Sequence, residues 1–419
     1  MRAQPFRGVL FAGSSARFRR RRLTLAAGCA ACYARGSIQK SLPVPVLAPR
    51  HAIATAYAGL FFGIGVYLPF FPVWLEGRGF DASMIAFTLA VPFAVRLFTM
   101  PLGGLVADRS GRPRATLVAY ALATALAFTG VALAPNVALM LLALGIAASF
   151  WQPSLPVLDA YAVVRRAEGL VDYGRVRLWG SLAFIAGNFA AGFLLGGLPA
   201  DAIVWFIVAG SLIAAGAALT LDELRLPPRE ASAHRLPRIP LVLALAIAAA
   251  ALVQGSHATL YTFASLHWRA IGLSDSAIGL MWATGVIAEV VLFRFGTGLT
   301  RRLGADRLLL IGGLAGVLRF GAMAFDPPVA LVLPLQLLHA ATFGCTYLGT
   351  VEMVARHAPP GRGAAVQALA AWVTTIAMAL ATVAAGPLWQ HFNCGAFFVS
   401  AGFAATGALL AFIVALRRG

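Results

Sequence analysis

From His51 onward the chain alternates apolar runs of about 20 residues with short polar connections. A run of that length spans the hydrocarbon core of a bilayer as a helix. Twelve runs can be marked: 52–75, 84–107, 115–134, 137–158, 177–198, 202–221, 241–264, 276–295, 307–325, 329–351, 366–389 and 396–416. One connection is longer. Asp222 to Pro240, DELRLPPREASAHRLPRIP, is charged and proline-rich and divides the runs six and six. The pattern predicts an all-α membrane protein. It would have two six-helix bundles, 51–222 and 241–419, joined by a cytoplasmic linker over 223–240.

Arginine placement orients these spans. Eighteen arginines fall in the connections and tail of one side, and only Arg78 and Arg269 in those of the other. Cytoplasmic loops carry the excess of basic residues, so both termini and the linker are expected in the cytoplasm. The net charge of +18 therefore reports topology and not a nucleic-acid partner. With 60% hydrophobic and 11% charged residues, the composition is that of an integral membrane protein, expected in a bacterial inner membrane.

Residues 1–50 hold ten of the 33 basic residues and none of the 15 acids. RRRRLTLAAG is similar to a twin-arginine signal and AAGC, ending at Cys29, to a lipoprotein box; the acid-free, Arg-rich composition also fits a transit peptide. The apolar run between Arg22 and Arg35 is too short and too polar for a signal core. The segment reads as a disordered basic tail, or as upstream sequence translated from a misplaced start. Cys29 and Cys32 form a lone CxxC without a second pair or a nearby histidine, so no metal site is expected. The four cysteines are scattered, so neither is a disulfide framework.

The two halves repeat with an offset of 193 residues. Gly79, Ser83 and Ile85 recur as Gly272, Ser276 and Ile278, and Gly103, Arg109, Gly111 and Arg114 as Gly296, Arg302, Gly304 and Arg307. Halves facing the same way form a parallel repeat, and transporters built so bind solute between the halves near the midplane. The offset carries Arg96 onto Glu289 and Asp159 onto Glu352.

Charges inside the spans are the candidate chemistry. A charge costs on the order of 2.5–3.5 kcal/mol at a helix centre and less toward its end, so it is normally paired or functional. Asp159 and Arg177 lie at the edges of spans 4 and 5, where they either pair or snorkel into headgroups. Glu289 lies well inside span 8 and must be paired or protonated; a static ion pair with Arg96 or Arg319 is the structural alternative to a proton-carrying role. Arg319, in mid-span 9, is a counter-charge or an anion anchor. Arg294 and Glu352 are near span ends and read as interfacial. His257 and His339 can relay protons or serve as hydrogen-bonded packing residues.

Between spans 2 and 3 the chain reads Gly104-Leu-Val-Ala-Asp108-Arg109-Ser-Gly111-Arg112-Pro-Arg114. This resembles the GxxxDRxGR[RK] loop of the major facilitator superfamily, whose fold is the 6+6 arrangement above. The resemblance implies a gating and structural role for Gly104, Asp108, Arg109, Gly111 and Arg112, with Asp108 able to cap the following helix. In the second half Thr297 and Arg301 replace the first glycine and the aspartate. YLPFFPVWL (67–75), VDYGRVRLWGS (171–181), LVQGSHATLY (252–261), GVIAEVVLF (285–293) and LQLLHAATF (335–343) further resemble the phenylpropionate permease group, related to lactose permease. That resemblance implies substrate-engaging roles for Asp159, Arg177, Glu289 and Arg319, and places His339 on the family's span-10 histidine. The glutamate tied to proton coupling three residues later is Thr342 here, and the paired span-7 aspartates are absent, with Gln254 and His257 nearby.

The resulting expectation is a monomeric, proton-coupled symporter working by alternating access. Its solute would be a small aromatic carboxylate anchored by Arg319 or Arg177, with Tyr67, Trp151 and Trp179 as ring contacts. Candidates for the coupled proton are Glu289, Asp159, His339 and His257. A neutral sugar or nucleoside would suit Asp159 and Arg177 equally. A polytopic membrane enzyme would need a catalytic constellation, and the chain has no HExxH, GxSxG or P-loop; a transport-dead receptor would not need charges in both halves. No cofactor or metal is expected.

Overall fold

The computed structural model describes residues 47–417 apart from 196, 200, 226–238 and 361. The expectations for Cys29, Cys32 and most of the 1–50 segment, and for most of the linker, lie outside these residues. All regular structure among the described residues is helical. In the first half the helices are α1 (Pro49–Gly77), α2 (Ala82–Ser110), α3 (Pro113–Leu133), α4 (Val137–Ala167), α5 (Tyr173–Leu194) and α6 (Ala202–Leu219). In the second half they are α7 (Leu241–Gly255), α8 (Ala258–Ala270), α9 (Asp275–Arg294), α10 (Gly296–Leu303), α11 (Ala305–Met323), α12 (Val329–Leu337), α13 (Thr346–His357), α14 (Gly363–Phe392) and α15 (Phe397–Leu416). A π-helical turn, Ala340–Cys345, joins α12 to α13, and a 3₁₀ turn, Asn393–Ala396, joins α14 to α15.

Nine stretches among the described residues are long and apolar enough to cross a membrane. α7 with α8, α12 with α13, and α14 with α15 each count as one such stretch. The two long helices outside the set are α5 and α11, which carry Arg177 and Arg319. Charged residues, among them Asp306 and Arg307 at the start of α11, keep these helices from reading as apolar spans.

Local sequence explains most of the boundaries. Side chains of Asp81, Asn136, Asp172 and Ser274 accept backbone N–H bonds at the starts of α2, α4, α5 and α9. Gly111 ends α2 at φ +58°, a left-handed conformation that a Cβ disfavours, and its repeat partner Gly304 stands at φ +82°. Three details differ from the apolar pattern. α4 runs on to Ala167 instead of stopping near 158, because Arg165 is buried there against Tyr161, Glu168 and Asp222. The seventh run breaks into α7 and α8 at Ser256–His257. Residues 296–303 form a short amphipathic helix, α10, carrying Arg301 and Arg302.

Small residues set the helix spacing, as expected where lipid offers no hydrophobic drive between helices. A Cβ at Gly65 of α1 would collide with the Phe184 carbonyl oxygen of α5, and one at Gly187 would lie 2.7 Å from that of Phe62. This pair locks α1 against α5 and fixes the register of the polar residues they share. Three glycines touch the opposite half instead. A Cβ at Gly192 would collide with the Asp275 carbonyl oxygen, and Cβ atoms at Gly279 and Gly386 would fall 2.7 Å from Asn188 O and 2.8 Å from Ser83 Cα. All three lie toward the end of the molecule with few arginines, where Ser83 Oγ also donates to Gln390 Oε1 at 2.9 Å. The seam between the halves is closed at that end.

Candidate functional site

The first-half charges gather where α1, α4 and α5 meet. Tyr57 on α1 donates its hydroxyl to Asp159 Oδ1 at 2.5 Å, and Tyr173, in the first turn of α5, donates to the same oxygen at 3.1 Å. Arg177, one turn further along α5, lays its guanidinium over the Phe61 ring at 4.1 Å and near that of Tyr57 at 5.5 Å. Asp159 and Arg177 are thus neighbours through Tyr57; no ion pair joins them among the described residues. A direct salt bridge is the simplest reading of the sequence. The structure instead satisfies the carboxylate with phenols and the guanidinium with aromatic faces. Gly180 makes this fit possible, since a Cβ there would stand 2.8 Å from Phe61 and 3.0 Å from Arg177.

The second-half charges form one chain of contacts. Arg319 on α11 is 1% exposed. Its Nη2 donates to Gln336 Oε1 at 2.6 Å, and its Nη1 to His339 Nδ1 at 3.3 Å and Thr342 Oγ1 at 3.4 Å. A guanidinium only donates, so His339 Nδ1 accepts and the imidazole proton sits on Nε2. That nitrogen lies 3.4 Å from Glu289 Oε2 of α9. Gly285 stands one turn before Glu289, and a Cβ there would meet His339 Cβ at 3.2 Å, so α9 can approach α12 closely. On the other side Thr342 Oγ1 lies 2.9 Å from His257 Nε2, whose ring turns Nδ1 to the carbonyls of Val253 and Gln254.

The partners differ from those the repeat suggests. Glu289 meets His339 rather than Arg96 or Arg319, and Arg96 makes no ion pair among the described residues. Arg319 and Glu289 are bridged by the imidazole of His339. Arg319 meets no carboxylate within ion-pair distance among the described residues, and its Nε and the Gln336 amide nitrogen are buried without partners. Arg319 is thus a buried cation among neutral groups with one spare donor.

The aromatic expectation divides. Tyr67 and Trp151 meet edge to face at 5.4 Å between centroids, with Phe71 stacked on Tyr67 at 4.7 Å and Phe128 against Trp151 at 5.2 Å. The Tyr67 hydroxyl is buried without a partner. Trp179 is apart from this group: it is 55% exposed and makes no ring contact among the described residues. Sequence reasoning missed Tyr57, Phe61, Tyr173 and Gln336. The last was readable, because Gln336, His339 and Thr342 repeat every third residue as one polar face in an apolar run.

In the loop between α2 and α3, Gly111 makes the predicted turn, but Asp108 does not cap α3. Arg112 holds the N-cap position without a side-chain bond, and Ser110 Oγ ties Ala107, Arg112 and Thr116 together. Gly104 has open space around it. The close approach belongs to Gly103, whose Cβ would strike Pro153 of α4 at 2.6 Å. Asp108, Arg109 and Arg112 are solvent-exposed. Arg294 is exposed, and Glu352 pairs with Arg356 one turn away.

Comparison with known proteins identifies the scaffold. The MFS_1-like family model matches residues 52–400. The chain is 33% identical over 372 residues to a probable 3-phenylpropionic acid transporter of Escherichia coli (strain K12), covering 85% of this chain and 95% of that protein. It is 25% identical over 350 residues to a maltose permease of Geobacillus stearothermophilus, covering 82% and 88%. Among solved structures, the nucleoside transporter NupG superposes with a TM-score of 0.72 at 18% identity, covering 88% of this chain and 99% of that one. A D-xylose–proton symporter superposes with a TM-score of 0.67 at 14% identity, covering 87% and 97%. The fold and the relatives are those of transporters and not of enzymes. The chain belongs to the MFS_1-like family of major facilitator transporters, as an integral multi-pass protein of the bacterial inner membrane.

Proposed function

We propose that the chain is a proton-coupled symporter of small aromatic carboxylates, binding the carboxylate at Arg319 and carrying the proton on Glu289. One observation carries this reading. Arg319 is buried among neutral partners with Nε unsatisfied, and a neutral imidazole connects it to Glu289. A solute carboxylate at Arg319 would supply the missing countercharge with bidentate geometry. Its negative charge would disfavour ionised Glu289 one imidazole away, so solute and proton would bind together. The phenylpropionate relative agrees with an aromatic acid, and the half-buried rings of Tyr67 and Trp151, backed by the buried Phe71 and Phe128, offer it contact. With the arginine-poor end outside, the seam closed at that end fits an alternating-access cycle.

A second reading rests on a different observation. Asp159, holding two tyrosine hydroxyls beside Arg177, offers the kind of polar surface that suits sugar hydroxyls, and a maltose permease is among the relatives. The discriminating experiment uses purified protein and thermal stabilisation by 3-phenylpropionate, maltose and a nucleoside. An aromatic-carboxylate carrier is stabilised by the first alone, and Arg319→Gln abolishes the effect. Stabilisation by maltose or the nucleoside alone would transfer the assignment to the neutral-solute reading.

A further inference from the structure

At the arginine-poor mouth, three segments of the second half converge on one point. His267 comes from the last turn of α8, Asp326 from the loop after α11, and Cys394 from the 3₁₀ turn after α14. His267 Nε2 lies 2.7 Å from Asp326 Oδ1 and 3.4 Å from Cys394 Sγ, and all three ligand atoms lie within 4.8 Å of one another. Asp326, at φ +50°, and Asn393, beside Cys394 at φ +48°, are the two non-glycine residues with positive φ among the described residues. Such backbone persists where the surroundings enforce it. Both stand at this cluster. Trp389 holds the His267 ring edge to face at 5.9 Å.

The cluster opens on a pocket of about 780 Å³ between the halves. Its lining includes Glu76, Asp81 and Asp326 and no arginine or lysine, so its charge favours a cation. We propose that His267, Asp326 and Cys394 form a binding site for a divalent transition metal of the zinc class. A thiolate, an imidazole and a carboxylate are the donors that borderline-soft zinc prefers, and calcium or magnesium would require oxygen ligands. Metal–ligand bonds of about 2.0–2.3 Å in tetrahedral array put neighbouring ligand atoms roughly 3.3–3.8 Å apart. The sulfur and nitrogen already fit that spacing, and the carboxylate must move outward by well under 1 Å. Binding releases the Cys394 thiol proton to solvent as the sulfur–metal bond forms. With three protein ligands, the fourth position is left to water.

The test uses full-length protein without a histidine tag, in a Cys29→Ser/Cys32→Ser background that removes the one CxxC pair. Zinc is titrated against a fluorescent chelator, and cobalt replaces zinc in a parallel experiment read by absorption. One zinc should bind per chain with release of a proton. Cobalt should show a thiolate charge-transfer band that Cys394→Ser removes. His267→Gln and Asp326→Gly should each weaken zinc binding by tenfold or more. Asp326→Gly keeps a residue suited to positive φ, so its melting temperature in metal-free buffer checks that the fold survives. Absence of saturable zinc binding in the parent protein, or unchanged binding in Cys394→Ser, overturns the proposal.

Discussion

Gly386→Val probes the closed seam. In the structure a Cβ on Gly386 of α14 would sit 2.8 Å from Ser83 Cα and 2.9 Å from Ala86 Cβ, both on α2 of the other half. Ordinary carbon–carbon contact begins near 3.5 Å, so the helices must separate by the better part of 1 Å. Overpacking of this kind costs about 1–3 kcal/mol, charged only to the state in which the seam is closed. The ratio of open to closed forms should therefore rise by roughly 5- to 150-fold. Asn188, fully buried at the α5–α9 seam against Gly279, supplies a remote reporter. In a background without native cysteines, Asn188→Cys should react slowly with a membrane-impermeant maleimide added from the arginine-poor side. Adding Gly386→Val should accelerate the reaction at least fivefold. Unchanged labelling with an intact fold would refute the idea that the halves separate as rigid bodies along both seams.

Four further outcomes follow from the first-half cluster and the tail. Tyr57→Phe removes one charge-assisted bond to Asp159 and should cost about 1.5–3 kcal/mol in solute binding or in stability, read by thermal denaturation with and without solute. Because Tyr57 stands between Asp159 and Arg177, the same change should shrink the coupling of Asp159→Asn with Arg177→Gln, which a double-mutant cycle should put above about 0.5 kcal/mol. Gly180→Val should drive Phe61 and Arg177 off each other and lower transport while leaving insertion intact; wild-type uptake would show that this stacking is incidental. A chain beginning near Arg50 should insert and transport normally, as measured by uptake in vesicles.

Much of the fold was legible because a membrane protein writes its spans as apolar runs of set length. The 193-residue repeat was legible too: Gly79 with Gly272, and Gly111 with Gly304, each have positive φ in both halves. What the apolar pattern could not show is backbone phase inside a run. The break at Ser256–His257 falls in a polar step, Gln254 to His257, too short to end a span, and the π turn after His339 lies within an apolar run, yet together they bring His257 and Thr342 within 2.9 Å. The charged residues themselves were visible as costly exceptions. Their partners were not, because an apolar run hides which way each side chain points. Asp159 finds tyrosines and Glu289 finds His339, where charge counting would give arginines in both cases. The metal-ligand trio was invisible for another reason: Asp326 and Cys394 lie 59 and 127 residues from His267, in one helix end and two connections that share no motif.

The central claim is that Glu289 carries the proton while Arg319 holds the solute carboxylate, and one substitution addresses it most directly. Glu289→Gln imitates the permanently protonated state and keeps an acceptor oxygen for the His339 N–H. The measurement compares two fluxes of labelled 3-phenylpropionate in proteoliposomes: uphill accumulation driven by a pH gradient, and one-for-one exchange, which needs no proton release. The account predicts that accumulation falls to the level set by equilibration while exchange persists at a rate comparable to wild type, and that Arg319→Gln abolishes both. Accumulation by Glu289→Gln against the solute gradient, with ordinary pH dependence, would contradict the account and move the proton to Asp159 or His339.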